Sequence, residues 1–525
     1  MSIAHAQESC QMQNQSNPRS LNSSRSRQFR LMPWTQLGAA LLLVLAMFAV
    51  SCSSSDSGDS ASGNTSEGDA SLCPVAALDS ADGPVKITIW HAWIGLTAKT
   101  LESIADSYNK SQDKVVLAVE AQGTYEELLK KYQDALGDPA SLPDIVLSED
   151  TTTQFMIDSE SIVPAQDCIA ADDTAAAIYK NILPAVISGY TVDDVLWPAA
   201  FSVSEPVLYV NQAHLAAAGV DSAPAALPKT LAELRSTAEK IKAANIPGVE
   251  QPLVLRVDSW YLEQALAGVQ QPVVNSSNGR SGLATTSELI SDPTTEVFQW
   301  FQSMQQDGLL KAVPYSDSFG QLFAMALQTS SMLIDTSTAI TSVNAAIEGT
   351  LRNEDIGAAD LGIDLSTVKF DTLKIGVGLN PGLKEAGVGQ IGGAGWYMVN
   401  SGKDASIAAA WNFMKYFNET PQQVRWTLEG SYLPVSETAR EDPALLAAFQ
   451  DTQRGQWLAV ASDGLVNLDP EFPGPVIGPY NEFRSITRSA LELVTTGGGE
   501  VAPVIKTANT EFQAALDQYA SEVGG

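Results

Sequence analysis

Three short apolar segments, Val85-Lys-Ile-Thr-Ile-Trp90, Val115-Val-Leu-Ala-Val119 and Asp144-Ile-Val-Leu147, decide the fold of this chain. Each is rich in β-branched and aliphatic residues, so each predicts a strand. The two intervening stretches have apolar residues at helical spacing, and the second begins at Thr124-Tyr-Glu-Glu127, which has the pattern of a capping box. The order strand, helix, strand, helix, strand predicts the start of a parallel α/β lobe.

Polar or aromatic side chains follow all three predicted strands, at Trp90–Trp93, Gly123–Tyr125 and Ser148–Asp150. Lobes of this kind bind ligands beyond the carboxyl ends of their strands, near the N-termini of helices. Loops are polar in most proteins, so this placement alone is a weak indication of a binding site.

The pattern continues through the rest of the chain. Leu196–Asn211 and Ile391–Asn400 predict further strands, and the glycines of the second allow a close backbone approach. Helices are predicted from Thr230 to Ile246, over Asp404–Asn418 and up to Gly430.

Composition narrows the class of protein. The chain has 525 residues, 45% of them apolar, and a formal net charge of −31. That charge argues against a nucleic-acid partner or an anionic membrane surface, although a cleft can still be locally positive. The length after residue 85 suits two lobes better than one. The chain has three histidines and no Cys/His spacing typical of a metal site, so we expect neither a metal nor a cofactor.

The N-terminal region has the features of an export signal. Four arginines precede the apolar run Leu37–Ser51, and Ala49-Val50-Ser51-Cys52 resembles a bacterial lipobox, in which the cysteine is acylated. We therefore expect residues 1–51 to be a lipoprotein signal peptide and residues 52–84 to be a lipid-anchored flexible stalk and entry segment. The alternative is an ordinary signal peptide cleaved nearby.

Two cysteines are left for the folded part, Cys73 and Cys168. In an exported domain such a pair predicts one disulfide. The alternative is two buried free thiols.

Seven segments of the chain resemble, in order, those of family-1 extracellular solute-binding proteins, the receptors of ABC uptake systems. They are Ile87–Trp93, Gly123–Glu127, Pro143–Val146, Pro206–Asn211, Pro228–Leu231, Gly392–Gly395 and Gly430–Pro434. The resemblance implies an α/β, two-lobed periplasmic-binding-protein-like fold of the maltose-binding type (type II), with hinge strands between the lobes. It places lobe 1 at residues 85–200 plus 391–436 and lobe 2 at residues 201–390 plus 437–525.

Within that family the chain is most similar to receptors for glycerol-3-phosphate and glycerophosphodiesters. The resemblance implies that Tyr125 donates to a ligand oxygen, that Asp150 accepts from glycerol hydroxyls and that Arg484 binds the phosphate. It also implies that Trp260 forms an aromatic wall and that Gly393 offers a backbone N–H. The remaining ligand residues that it implies are Ser204, Ser337 and Tyr432. The stretch Arg256–Tyr261 has fewer tryptophans than the corresponding stretch of those receptors. Gly395-Trp396 also departs from the motif that follows the glycine pair in those receptors. For Arg484 the alternative is a structural pair with a carboxylate.

The function expected from these features is that of a monomeric, lipid-anchored solute receptor on the outer face of the bacterial cell membrane. It would bind its solute, dock on permease subunits that work with a cytoplasmic ATPase, and catalyse nothing. Glycerol-3-phosphate or a glycerophosphodiester is the first ligand, and a neutral di- or oligosaccharide is the alternative. An exported carbohydrate hydrolase would need a carboxylate pair or nucleophile that we cannot place, and a surface adhesin or sensor would keep the fold without uptake.

Overall fold

The computed structural model describes residues 68–352, 370 and 372–523. All of these residues fall in one compact unit, Gly63–Gly525. The expected signal peptide, the lipidation candidate Cys52 and the stalk as far as residue 67 lie outside the described residues.

The first sheet forms the core of lobe 1. It follows the order β2-β1-β3-β13-β4, and β7 pairs with β13 beside β4. The strands are β1 (Val85–His91), β2 (Val115–Ala121), β3 (Ile145–Glu149), β4 (Ile162–Val163), β7 (Ala200–Ser204) and β13 (Gly392–Val399). The first three strands pair in parallel and β13 runs antiparallel to β3, so the βαβαβ prediction is confirmed.

The second sheet forms the core of lobe 2, in the order β10-β9-β11-β8-β12. Its strands are β8 (Pro206–Asn211), β9 (Gln251–Arg256), β10 (Leu310–Val313), β11 (Ser330–Thr336) and β12 (Ile375–Leu379). A separate small hairpin joins β5 (Thr191–Val192) to β6 (Val195–Leu196). The two sheets confirm the expected two-lobed α/β architecture.

Helices cover both sheets. In lobe 1 and beside it they are α1 (Gly95–Ser111), α2 (Tyr125–Ala135), α3 (Thr153–Asp158), α4 (Ala165–Ala171), α5 (Ala175–Lys180), α6 (Pro184–Tyr190), α14 (Asp404–Asn418), α15 (Thr420–Gly430), α16 (Glu437–Arg440) and α17 (Pro443–Asp451). Those of lobe 2 are α7 (Gln212–Ala217), α8 (Leu231–Ala243), α9 (Trp260–Ala267), the single turn α10 (Asn275–Asn278), α11 (Asp292–Gln306), α12 (Gly320–Ala326), α13 (Ile340–Ile347), α18 (Gln453–Asn467), α19 (Tyr480–Thr495) and α20 (Val501–Val523).

Local sequence explains how the first helices form. Helix α1 buries Leu101, Ile104 and Tyr108 against the first sheet, as their spacing predicts. Helix α2 begins with a complete capping box, because Thr124 accepts from the N–H of Glu127 and the Glu127 side chain accepts from the N–H of Thr124. That cap places Tyr125 at the first turn of the helix, on the edge of the lobe where the strands end.

The chain crosses between the lobes at Glu205, which separates β7 of the first sheet from β8 of the second. The boundary that we expected after residue 200 therefore lies at Glu205, because Ala200–Ser204 is hydrogen-bonded to β13. A second crossing connects β12 to β13 through Gln390. Later, α18 packs against β12, so the C-terminal part of the chain returns to lobe 2.

The predicted disulfide between Cys73 and Cys168 is present and ties the segment that enters lobe 1 to helix α4. Both cysteines are buried, and their Cα atoms are 4.9 Å apart. Beside them the N–H of Asp69 donates to the Asp167 carboxylate at 2.9 Å. The entering segment is thus held to lobe 1 by the disulfide and by polar contacts, which include the ion pair of Asp79 with Lys114.

Candidate functional site

The candidate site lies between the lobes, where the carboxyl end of β3 faces helix α19. Strand β3 ends at Glu149, and the turn Asp150–Thr152 that follows it contacts α19 of lobe 2. Ligands of open α/β sheets bind at this end of the strands. The two lobes therefore bring the end of one sheet and a helix from the other lobe to the same place.

The wall of lobe 1 is formed by aromatic side chains. The Trp93 indole N–H donates to the Tyr432 hydroxyl at 2.7 Å, and Tyr432 is stacked on Trp426 with ring centroids 5.3 Å apart. The Tyr125 hydroxyl is buried beside Tyr432 and has no partner of good hydrogen-bond geometry. Burial raises the pKa of Tyr432 to about 12 and that of Tyr125 well above its ordinary value, so both phenols stay protonated. Tyr125 can therefore donate to a ligand oxygen.

A group of carboxyl side chains lies beside this wall. Burial raises the pKa of Asp150 to about 8; Arg484 opposes that shift and the Glu149 carboxylate adds to it. Burial also raises the pKa of Glu149, and it raises the pKa of Glu205 well above its ordinary value. One carboxyl oxygen of Glu205 is buried without a hydrogen-bond partner. At neutral pH the Asp150 carboxyl is thus protonated, and it can donate as well as accept a hydrogen bond.

Arg484, on helix α19, connects the two lobes. Its Nε and Nη2 donate to the two carboxylate oxygens of Glu263 at 2.9 and 2.8 Å, a bidentate pair within lobe 2. Its Nη1 points the other way and donates to Glu149 Oε1 of lobe 1 at 3.1 Å. The Arg484 side chain is 15% exposed and that of Glu263 is fully buried. Glu263 thus fixes one edge of the guanidinium while Nη1 faces the cleft.

Ser204 and Ser337 lie at the crossing between the lobes. Ser204 is the last residue of β7 and is buried. The N–H of Ser337 donates to the carbonyl oxygen of Glu205 at 2.8 Å, and the N–H of Glu205 donates to the Ser337 hydroxyl at 3.2 Å. The Ser337 hydroxyl is therefore used by the crossing, and this residue is fully buried.

Glycine is required at position 393, next to this crossing. Gly393 has a φ of +116°, and a Cβ there would lie 2.0 Å from the carbonyl oxygen of Ser202. At the neighbouring Gly392 a Cβ would lie 3.6 Å from Cζ2 of Trp260. The Trp260 indole, at the first turn of α9 in lobe 2, therefore lies against the backbone of β13 in lobe 1.

The eight expected ligand residues are distributed over three parts of the molecule. Asp150 follows the end of strand β3 with Tyr125 and Tyr432 beside each other, Ser204, Ser337 and Gly393 lie at the crossing strands, and Trp260 and Arg484 lie on helices of lobe 2. Ligand binding by these residues stays a prediction. Arg484 pairs with the carboxylates of Glu149 and Glu263, and its role in phosphate binding stays a prediction as well.

Sequence reasoning missed Glu263 and the interlobe contact of Glu149. Glu263 is 221 positions from Arg484, and nothing in the local pattern of either segment predicts that the two meet. The sequence did contain one indication that Glu263 lies near the site: it follows Trp260 by three residues, which is close to one helical turn, at the start of α9.

Two other kinds of site were searched for in the part of the chain that the structure describes. No group of three or more His, Cys, Asp or Glu side chains there is arranged to hold a metal ion. Among the same residues, none of the helices is long and apolar enough to cross a membrane.

The chain is similar to known proteins in sequence and in fold. The sequence model of the bacterial extracellular solute-binding protein family matches residues 103–451. The sn-glycerol-3-phosphate-binding periplasmic protein UgpB of Pectobacterium atrosepticum is 24% identical over 441 residues, which are 82% of this chain and 91% of that protein. UgpB of Yersinia pseudotuberculosis is 23% identical over 81% of this chain and 92% of its own length.

Solved structures share the fold at lower identity. UgpB from Mycobacterium tuberculosis, in complex with glycerophosphocholine, has a TM-score of 0.62 at 16% identity and covers 84% of this chain and all of its own. The cyclic alpha-maltosyl-1,6-maltose binding protein from Arthrobacter globiformis has a TM-score of 0.63 at 19% identity, over 83% of this chain and all of its own. The maltose-binding type of fold expected from the sequence is confirmed.

Proposed function

We propose that this chain, which belongs to the bacterial extracellular solute-binding protein family, is the receptor of an ABC importer for glycerol-3-phosphate or a glycerophosphodiester. The ligand binds between the two lobes, and contacts to both stabilise the closed arrangement. The receptor then delivers it to permease subunits that work with a cytoplasmic ATPase. Catalysis has no part in this function.

The observation that supports this ligand is the contact between Arg484 and Glu149. Nη1 of Arg484 faces lobe 1 and holds an anionic oxygen, that of Glu149, at 3.1 Å. A phosphate oxygen has the charge and acceptor geometry to take the place of that carboxylate. Glu263 would remain on the opposite edge of the guanidinium and keep it oriented. The named ligands of the UgpB relatives contain such a phosphate.

The hydroxyl groups of glycerol fit the remainder of the cleft. Tyr125 supplies a free phenol donor, and Asp150 can donate or accept, because its raised pKa keeps it protonated at neutral pH. These groups suit a small polyol better than an apolar ligand.

A second candidate ligand, a neutral di- or oligosaccharide, is favoured by the charges around Arg484. One guanidinium faces the carboxyl groups of Glu149, Asp150 and Glu263, and those of Glu149 and Asp150 have raised pKa values because of burial. Two carboxylates beside one guanidinium leave a net negative charge that repels a dianion, while the protonated carboxyl of Asp150 can donate to a sugar hydroxyl. The sugar-binding structural neighbour shares the fold and no more.

Calorimetric titration of the purified receptor with glycerol-3-phosphate, glycerophosphocholine, maltose and trehalose tests the proposal. We expect the phosphates to bind and the sugars not to. The double variant Arg484→Met with Glu263→Gln removes the cation together with the charge of its fully buried partner, and it should weaken phosphate binding about 10- to 150-fold. Arg235→Ala, which removes an ion pair on the outer face of α8, is the matched control. Binding of the sugars alone would show that the phosphate assignment is wrong.

We further propose that Cys52 carries a lipid that anchors the receptor to the outer face of the cell membrane, and that the receptor works as a monomer. The anchor would keep the receptor close to its permease. Cys52→Ala should release the protein into the medium without changing its affinity for ligand. Retention of that variant in the membrane fraction would contradict the anchor.

A further inference from the structure

A second cavity opens beside Trp260, on the side of the indole that belongs to lobe 2. Its volume is about 300 Å³, and Arg256, Trp260, Gln321 and Asp335 are among its lining residues. Trp260 Cζ2 approaches the backbone of Gly392 on the crossing strand β13. The indole therefore borders both the cleft described above and this cavity.

One buried polar atom of a residue that lines this cavity has no hydrogen-bond partner in the described part of the chain. Gln321 is only 5% exposed, and its Nε2 donates to the Ser318 carbonyl oxygen at 3.3 Å and to Asp335 Oδ2 at 3.2 Å. These bonds fix the amide, so its Oε1 is the atom left without a hydrogen bond. A buried acceptor without a partner costs free energy, and a ligand O–H or N–H that reached it would remove that cost.

The charges beside the cavity balance. Arg256 and Arg488 both lie over the Tyr315 ring, 4.4 and 3.4 Å from its centroid. Both also pair with Asp258, at 3.9 and 3.6 Å. Asp335 supplies a second carboxyl group, so two cations face two acidic side chains. A site with this balance suits a neutral ligand group better than an anion or a quaternary ammonium ion.

We infer that this cavity binds a neutral, polyhydroxylated group joined to the glycerol phosphate, so that the preferred ligand is a phosphodiester of glycerol with a polyol. This inference rests on the proposed function, since the phosphate end is assigned to Arg484. The Trp260 indole supplies a face for the carbon skeleton, the Arg256 guanidinium supplies paired donors, and Gln321 Oε1 and Asp335 supply acceptors. Vicinal hydroxyl groups need this combination of donors and acceptors.

Calorimetric titration with glycerophosphoinositol, glycerophosphocholine and glycerol-3-phosphate tests the inference, with maltose as a phosphate-free probe. We expect glycerophosphoinositol to bind at least about 10-fold more tightly than the other two phosphates, because the polyol adds hydrogen bonds in the cavity. Gln321→Met should bring that ratio close to one, and Arg256→Lys, which keeps the charge but loses the planar fork, should reduce it. Gln305→Met removes another glutamine whose Oε1 lacks a partner, on helix α11, and should keep the ratio.

The outcomes separate this inference from the proposed function. If the three phosphates bind equally, or if Gln321→Met leaves the ratio unchanged in a protein that still unfolds cooperatively, the polyol site is wrong and the phosphate site stands. If only maltose binds and Gln321→Met weakens it, the phosphate assignment is wrong and the cavity is still a polyol site. If maltose alone binds and the variant has no effect, or if none of the probes binds, both are wrong.

Discussion

Replacing Glu149 by glutamine should strengthen the binding of glycerol-3-phosphate. Glu149 Oε1 accepts from Nη1 of Arg484 at 3.1 Å, so an incoming phosphate must displace an internal anion. Glutamine keeps the size of the side chain and a weaker acceptor but removes the charge. The ligand would then compete with a hydrogen bond from the guanidinium to a neutral amide oxygen instead of an ion pair.

The magnitude follows from the exposure of the two side chains, 15% for Arg484 and 31% for Glu149. The ion pair of the guanidinium with a carboxylate contributes about 1 kcal/mol more than a hydrogen bond from the same guanidinium to a neutral amide oxygen, because the pair is partly shielded from water. The difference of about 1 kcal/mol corresponds to an affinity that is roughly 5-fold higher. Loss of the repulsion between the Glu149 carboxylate and the phosphate adds to this effect.

Isothermal titration calorimetry at constant ionic strength measures the change directly. Glu126→Gln is the matched control, because this exposed residue of α2 lies near Glu149 but makes no contact with Arg484. We expect the control to change the affinity by less than about 2-fold. If Glu149→Gln binds glycerol-3-phosphate with the same or lower affinity, Glu149 is not an internal competitor and the assignment of Nη1 to phosphate loses its support.

Three further predictions concern stability. Burial raises the pKa of Asp150 from 3.8 to about 8, so the stabilisation that comes from protonated Asp150 is complete below about pH 4 and is lost as pH rises toward 8. Relative to Asp150→Asn, the wild type should lose up to about 1.4 kcal/mol of unfolding free energy per pH unit in that window. A difference in urea unfolding between the two proteins that does not vary with pH would contradict this prediction. Replacing Cys73 and Cys168 by serine should lower the free energy of unfolding by about 2–4 kcal/mol, and unchanged thermal melting would contradict it. Arg280→Met should lower the free energy of unfolding by about 2–5 kcal/mol, because the Arg280 guanidinium donates to backbone carbonyls of both lobes, including those of Ser188 and Gly474. A decrease below about 0.5 kcal/mol in urea unfolding would contradict this prediction.

Local patterns predicted the elements of lobe 1 well. The spacing of Leu101, Ile104 and Tyr108 and the capping box at Thr124 are set by residues within one or two turns, so they can be read without tertiary contacts. The end of helix α8 could not: we expected Ile246, before a proline, but the helix ends at Ala243 because Asn245 adopts a left-handed φ of 47°.

The candidate site was only partly predictable. The resemblance identified residues that lie at the end of strand β3, at the crossing strands and on helices α9 and α19, and their binding of ligand stays a prediction. The partners of Arg484 were not predicted, because Glu149 and Glu263 reach it only when three distant segments meet between the lobes. The unpartnered oxygen of Gln321 is likewise a property of packing and has no sequence pattern.

A crystal structure of the receptor with glycerol-3-phosphate tests the central claim most directly. We expect a phosphate oxygen within about 3 Å of Arg484 Nη1, the Glu149 carboxylate moved away from that atom, and Glu263 still paired with the other edge of the guanidinium. A phosphate bound elsewhere, with the Arg484–Glu149 contact intact at 3.1 Å, would contradict the account.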